Sequence, residues 1–133
     1  MRIAVDTNIL VRVVTEDDPA QSALAETELT GAEIVAIPTW ALCEFIWVLR
    51  RGYGIDKANI AVSIRRLLAA DNVRIDRHSV EAGLAMLDAG GDFADGVIAH
   101  QGRVLGGDTF VSFDRRAIDL LVAQGTAARF PAK

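Results

Sequence analysis

The chain has 133 residues, 51% of them apolar and 24% charged, with a formal net charge of −4. That size and balance describe one globular domain over residues 1–133. They exclude a disordered polyelectrolyte, a disulfide-stapled miniprotein (Cys43 is the single cysteine) and a protein whose whole surface attracts nucleic acid.

Residues 2–6 (RIAVD) read as a buried strand ending in an acid, and residues 7–14 as a short helix after it. Asp6 and Arg12 interrupt this apolar run too early for a signal-peptide core, so a cytoplasmic protein is expected. Asp18-Pro19 starts a helix, with Asp as cap and Pro in the first helical position; it runs to about Leu29 and stops at Gly31. Residues 34–37 form a second short strand, and Pro38 opens a helix ending near Gly52 and Gly54. Residues 34–49 are the most membrane-like stretch, but they fall short of the ~20 apolar residues a span needs and contain Pro38 and Glu44. No membrane association is expected. Asp56 caps a helix to about Ala70, with Ile60, Ile64, Leu67 and Leu68 on one face, and residues 73–75 form a third strand. Residues 79–89 are helical and end at Gly90-Gly91; Asp92 caps a helix to about Leu105. Residues 109–113 (TFVSF) form a fourth strand, 115–124 a helix stopped by Gly125, and 128–130 a last edge strand.

Strands alternating with helices imply an α/β fold whose parallel sheet is covered on both faces. Ligands in such folds bind beyond the carboxyl ends of the strands. Asp6 and Asp114 each follow a strand directly, where that crevice opens.

Glu44 is the one charge among the 16 residues 34–49. Leu42, Phe45, Ile46 and Leu49 make one apolar stripe, and Trp40, Trp47 and Val48 make the other side apolar, so this helix reads as buried nearly all round. An ionised carboxylate there needs compensation. A metal ion or an acid-lined wet cleft supplies it, and so does a buried arginine partner; position alone does not choose between them. Asp92 is explained as a helix cap. Asp95 also suits a helix start, but it lies in an apolar segment and is followed by Gly96, whose place inside a helix costs ~1 kcal/mol relative to Ala. Gly96 is therefore read as a sign of close approach by another backbone, or of nothing. Arg115 and Arg116 follow Asp114 in a first helical turn, where cations oppose the helix dipole and where they could hold phosphate oxygens. Carboxylates crowded into one crevice repel, and a hard divalent cation relieves that repulsion. The widely spaced Cys43, His78 and His100 offer no zinc site.

Four segments, VDTNIL at Asp6, PTWALCEFIWVL around Glu44, DFADGVIA around Asp95 and FVSFDRRA around Asp114, together resemble PIN-domain ribonucleases, and among these the VapC-type toxins of toxin–antitoxin systems. The resemblance covers essentially the whole chain. It implies a three-layer α/β/α sandwich with a central parallel sheet of four to five strands. It implies an Mg²⁺- or Mn²⁺-dependent endoribonuclease leaving 5′-phosphate and 3′-hydroxyl ends. It maps the family's acidic quartet onto Asp6, Glu44, Asp95 and Asp114 and polar helpers onto Thr7, Asn8 and Ser112. It also implies a homodimer held in check by a small antitoxin. Arg12, Arg115 and Arg116 are the side chains expected to touch RNA, with Arg50, Arg51 and Arg103 elsewhere on the rim. Gly96 departs from the family, where alanine is commoner. The alternative is a non-catalytic PIN-fold module binding RNA or protein, which loss of one or two acids would mark; all four are present. A phosphatase of the haloacid-dehalogenase type would want an acid where Asn8 stands, and no phosphate-binding G-x-x-x-x-G-K-[ST] loop exists.

Overall fold

The computed structural model describes residues 1–132 and divides the chain into two compact units, Met1–Asp76 and a second beginning at Arg77. The first unit contains β1 (Arg2–Ala4), α1 (Thr7–Thr15), α2 (Pro19–Gly31), β2 (Ile34–Ala36), α3 (Thr39–Tyr53), α4 (Lys57–Leu68) and β3 (Val73–Arg74). Its strands are parallel and ordered β1-β2-β3, with Ile3 opposite Val35 and Val35 opposite Val73. Parallel neighbours require crossover connections, and a pair of helices fills each one here. The ladder runs a little past the strand ends, since Val5 N–H donates to the Ala36 carbonyl at 3.2 Å and Ile37 N–H to the Arg74 carbonyl at 3.0 Å. This fixes the chain just before Asp6.

Helical spacing selects the core. Leu42, Phe45 and Leu49 line one face of α3, Ile60 and Ile64 one face of α4, and all are fully buried with Leu10 and Val35. Gly54 ends α3 in the left-handed region (φ 63°), donating its N–H to the Leu49 carbonyl. Arg50 and Arg51 occupy the last turn, where they complement the dipole. Asn72 ties β3 to the end of α2: its Nδ2 donates to the Leu29 carbonyl at 2.8 Å and the Ala32 carbonyl at 3.0 Å. Asn72→Ala leaves both carbonyls without these partners. We expect a loss of about 1–2 kcal/mol in urea unfolding; an unchanged midpoint would mean that the bonds carry no net stability.

The second unit contains α5 (Arg77–Asp88), α6 (Phe93–Val104), β4 (Phe110–Val111), α7 (Arg115–Ala123) and β5 (Ala128–Arg129). β4 and β5 pair in parallel, Phe110 opposite Ala128. Met86, Ala99, Ala117 and Leu121 form a buried cluster with Phe110, Leu120 and Ala128 packed against it. α5 and α6 approach closely because glycines face the contact. A methyl group on Gly96 would run into the Ala82 carbonyl oxygen and lie 2.9 Å from Met86 Cγ. One on Gly83 would strike the Phe93 ring.

The fold class is α/β with parallel strands, as the sequence pattern implies. The hydrogen bonds run through a three-stranded and a two-stranded ladder, where one sheet of four to five strands was expected. The strands are also shorter than the apolar pattern. Residues 109–113 alternate like a strand, but Asp114 N–H donates to Ser112 Oγ at 2.9 Å, and this local turn ends the ladder. No helix among the described residues is long and apolar enough to cross a membrane.

Candidate active site

Each unit carries acids where its chain leaves a strand. In the first, Asp6 caps α1, and its Oδ1 accepts the Ile9 N–H at 3.3 Å. The next residue, Thr7, directs its hydroxyl between Glu44 Oε1 (3.3 Å) and the Ala41 carbonyl (3.4 Å). A hydroxyl has one proton, so these two long bonds are alternatives. Thr7 thereby links the start of α1 to the acid on α3. Asp6 and Asn8 also line a cleft of about 430 Å³ between α1 and α2, with Ile9, Leu24 and Ala25 as apolar walls.

The structure corrects the reading of Glu44 as a buried charge. Only one side of α3 is covered; Trp40 and Trp47 are 73% and 62% exposed, and Glu44 is exposed with them. Apolar composition all round the helix does not mean burial all round, because tryptophans often stay partly outside a core. No desolvation penalty has to be offset, and no arginine pairs with Glu44 among the described residues.

In the second unit, Asp92 caps α6, with Oδ1 accepting the Ala94 N–H at 2.8 Å. Asp95 sits half-buried in the first turn of the same helix. Its carboxyl is pushed up to about 6, first by burial and then by the negative charges of Asp92 and Asp114. Asp114 caps α7 through the Ala117 N–H at 3.1 Å, and Ser112 Oγ holds its backbone. Ser112 thus positions Asp114 as Thr7 positions Glu44.

Capping alone does not mark a site in this chain, since aspartate side chains cap at least five of the described helices: Asp6, Asp18, Asp56, Asp92 and Asp114. Asp95 stands apart because it caps nothing and its charge is opposed by its surroundings. Asp92 contributes to that field, a role beyond the cap assigned from sequence. The three-residue spacing of Asp92 and Asp95 was the available signal, because residues three apart on a helix are neighbours.

The arginines are more committed than expected. Arg12 Nε donates to Gln21 Oε1 at 2.6 Å and Nη1 pairs with Asp17 at 3.0 Å. Asp17 in turn is held below the usual carboxylate range by the Tyr53 hydroxyl, then by Thr15 and Arg12. Arg12 is therefore held in place by neighbours within its own unit. Arg116 Nη2 donates to the Gly90 carbonyl at 2.9 Å, and Arg115 lies over the Phe130 ring.

The donor chemistry fits a hard divalent ion. Carboxylate oxygens dominate, hydroxyls support them, and no ion pair among the described residues neutralises Asp6, Glu44, Asp95 or Asp114. Burial, then the charges of Asp92 and Asp114, oppose ionisation of the Asp95 carboxyl. No group of three or more His, Cys, Asp or Glu side chains among the described residues is placed to hold a metal ion.

Parallel strands are followed by the helix-capping acids Asp6 and Asp114, and hydroxyls of Thr7 and Ser112 contact Glu44 and the Asp114 backbone. The PIN-domain family model matches residues 3–121, and the chain belongs to that family. PIN domains are generally metal-dependent nucleases that bind RNA. No curated protein is detectably similar to the chain in sequence.

Proposed function

We propose that the chain is a divalent-metal-dependent endoribonuclease, the toxin component of a toxin–antitoxin pair, whose cleavage depends on Asp6, Glu44, Asp95 and Asp114. The observation that supports it most is the Asp95 carboxyl, raised by burial and by acidic neighbours, with no ion pair to it among the described residues. These carboxylates would hold Mg²⁺ or Mn²⁺, which would supply positive charge to the phosphate and lower the pKa of a bound water. Asp95 and Asp6 would be its principal ligands, and Asp114 would complement them while keeping its cap bond, since a carboxylate offers about four lone-pair sites. Glu44, exposed and steered by Thr7, takes the proton from the attacking water. Water adds at phosphorus as the bond to the 3′ oxygen breaks, leaving 5′-phosphate and 3′-hydroxyl ends. Asn8 and Ser112 hold polar contacts around this chemistry. Trp40 and Trp47 on the open face of α3 support a protein surface there, for a second copy or an antitoxin.

The test uses purified protein on total cellular RNA, with and without Mn²⁺, beside the Asp6→Asn variant. Asparagine caps helices as well as aspartate, so Asp6→Asn should keep the fold. Cleavage should require the ion and vanish in Asp6→Asn at an unchanged circular dichroism spectrum. Equal cutting after thorough chelation, or an active Asp6→Asn protein, contradicts the proposal.

A further inference from the structure

His78 stands in the first turn of α5 and His100 in the second half of α6, and these are the only histidines in the chain. The spacing in sequence keeps them apart, but the packing of α5 on α6 brings their rings together. The centroids lie 6.2 Å apart, with the planes inclined by 38°. One residue beyond each histidine, Gln101 Nε2 donates to the buried Ser79 Oγ at 3.2 Å. That bond, with the close helix approach at Gly83 and Gly96, fixes the register in which the two rings meet.

Core packing does not account for the pair, because His78 is exposed and His100 half-buried. No ion pair among the described residues engages either ring. Arg103, one turn beyond His100, is held by Thr126 Oγ1 at 2.9 Å. Imidazole nitrogens suit Zn²⁺, Cu²⁺ and Ni²⁺, whereas Mg²⁺ takes oxygen ligands. With Zn–N about 2.0–2.1 Å, two imidazole centroids on one tetrahedral ion stand roughly 5 Å apart. The observed pair closes to that separation by side-chain rotation, which an exposed residue such as His78 makes readily. His100 also lines a cavity of about 310 Å³, through which water reaches the remaining coordination positions.

We propose that His78 and His100 together hold one transition-metal ion of the Zn²⁺ class between α5 and α6, with water completing its shell. The ion would tie the two helices at a site whose nitrogen donors set it apart from the carboxylates. This site does not depend on the endoribonuclease reading.

Untagged full-length protein, stripped with chelator, is titrated with ZnCl₂ in excess Mg²⁺ by calorimetry. The histidine ring signals are followed by NMR, and His78→Gln and His100→Gln assign them. One ion per chain should bind at micromolar concentrations, both ring signals should shift together, and the melting temperature should rise because the ion binds the folded state. Each glutamine variant, with an unchanged circular dichroism spectrum, should lose at least about tenfold in zinc affinity. Asp95→Asn should keep wild-type zinc affinity. No saturable binding, a shift of one ring signal alone, or one ion shared by two chains overturns the proposal. So does zinc binding that survives in both glutamine variants and fails in Asp95→Asn, which would place the ion on the carboxylates.

Discussion

Asp95→Asn is expected to abolish metal-dependent RNA cleavage while raising the melting temperature of the metal-free protein. The two effects have one origin. With its carboxyl pushed up to about 6, Asp95 is held in a field that resists its ionisation. The field comes from partial burial and from Asp92 and Asp114. An unfolded chain ionises this group near 3.8, so the folded state keeps the proton longer as pH rises. Its contribution to stability is present below 3.8 and is lost as pH rises through about 6. At neutral pH the ionised group is a net cost, which asparagine removes. Because Asp95 is only half-buried, solvent screens much of the shift, and about 1 kcal/mol of stabilisation is a reasonable size. That corresponds to a rise of roughly 3–4 °C. At pH 4 the variant and the wild type should melt nearly together. Cleavage should fall about a thousandfold or more, ~4 kcal/mol of transition-state stabilisation. A variant that melts lower at neutral pH, or that still cuts, removes Asp95 from the central role given to it here.

Gly96→Ala carries the second large effect, and its sign opposes helix propensity. In an open helix alanine gains up to about 1 kcal/mol over glycine. Here the added methyl meets the Ala82 backbone carbonyl, which cannot swing away as a flexible side chain would. α5 and α6 must part, disturbing the packing around Met86. Overpacking of this kind costs about 1–3 kcal/mol, and we expect a net loss near 2 kcal/mol, a fall of roughly 5–10 °C. Gly52→Ala in α3 is the control. Its nearest contact is Val48 Cγ1 at an ordinary 3.9 Å, so the propensity gain should appear there as a modest stabilisation. Thermal unfolding of the two variants, read together, decides whether the glycine is conserving space or merely tolerated.

Much of this structure was legible in the chain. The Asp-Pro pair at Asp18-Pro19, the Asp56 and Asp92 caps and the Gly54 stop mark helix ends through local backbone chemistry, and α2, α3, α4 and α6 begin and end near them. Gly96 was readable as a sign of close approach because glycine inside a helix has a known cost. Tertiary facts were not legible. Glu44 looked buried because Trp40 and Trp47 are apolar, but which face of α3 is covered depends on packing that no periodicity records. The partners of Arg12, Asp17 and Gln21, were not singled out either; they lie on the connection and helix that follow α1. Phe113 and Phe130 lie 17 residues apart, and only the β4–β5 pairing brings their rings together. The strand pattern overstated β4 because the Ser112 turn is a side-chain effect superimposed on an apolar alternation.

The proposed function depends on Asp6 and Asp95 each being required for divalent-ion binding. Calorimetric titration of Mn²⁺ into the wild type, Asp6→Asn, Asp95→Asn and the double variant tests it directly. The account predicts saturable binding by the wild type, a loss of at least about tenfold from either single change, and a double loss that is not the simple sum of the two. Asp6→Asn protein that binds Mn²⁺ as the wild type does, with only Asp95→Asn impaired, would contradict it.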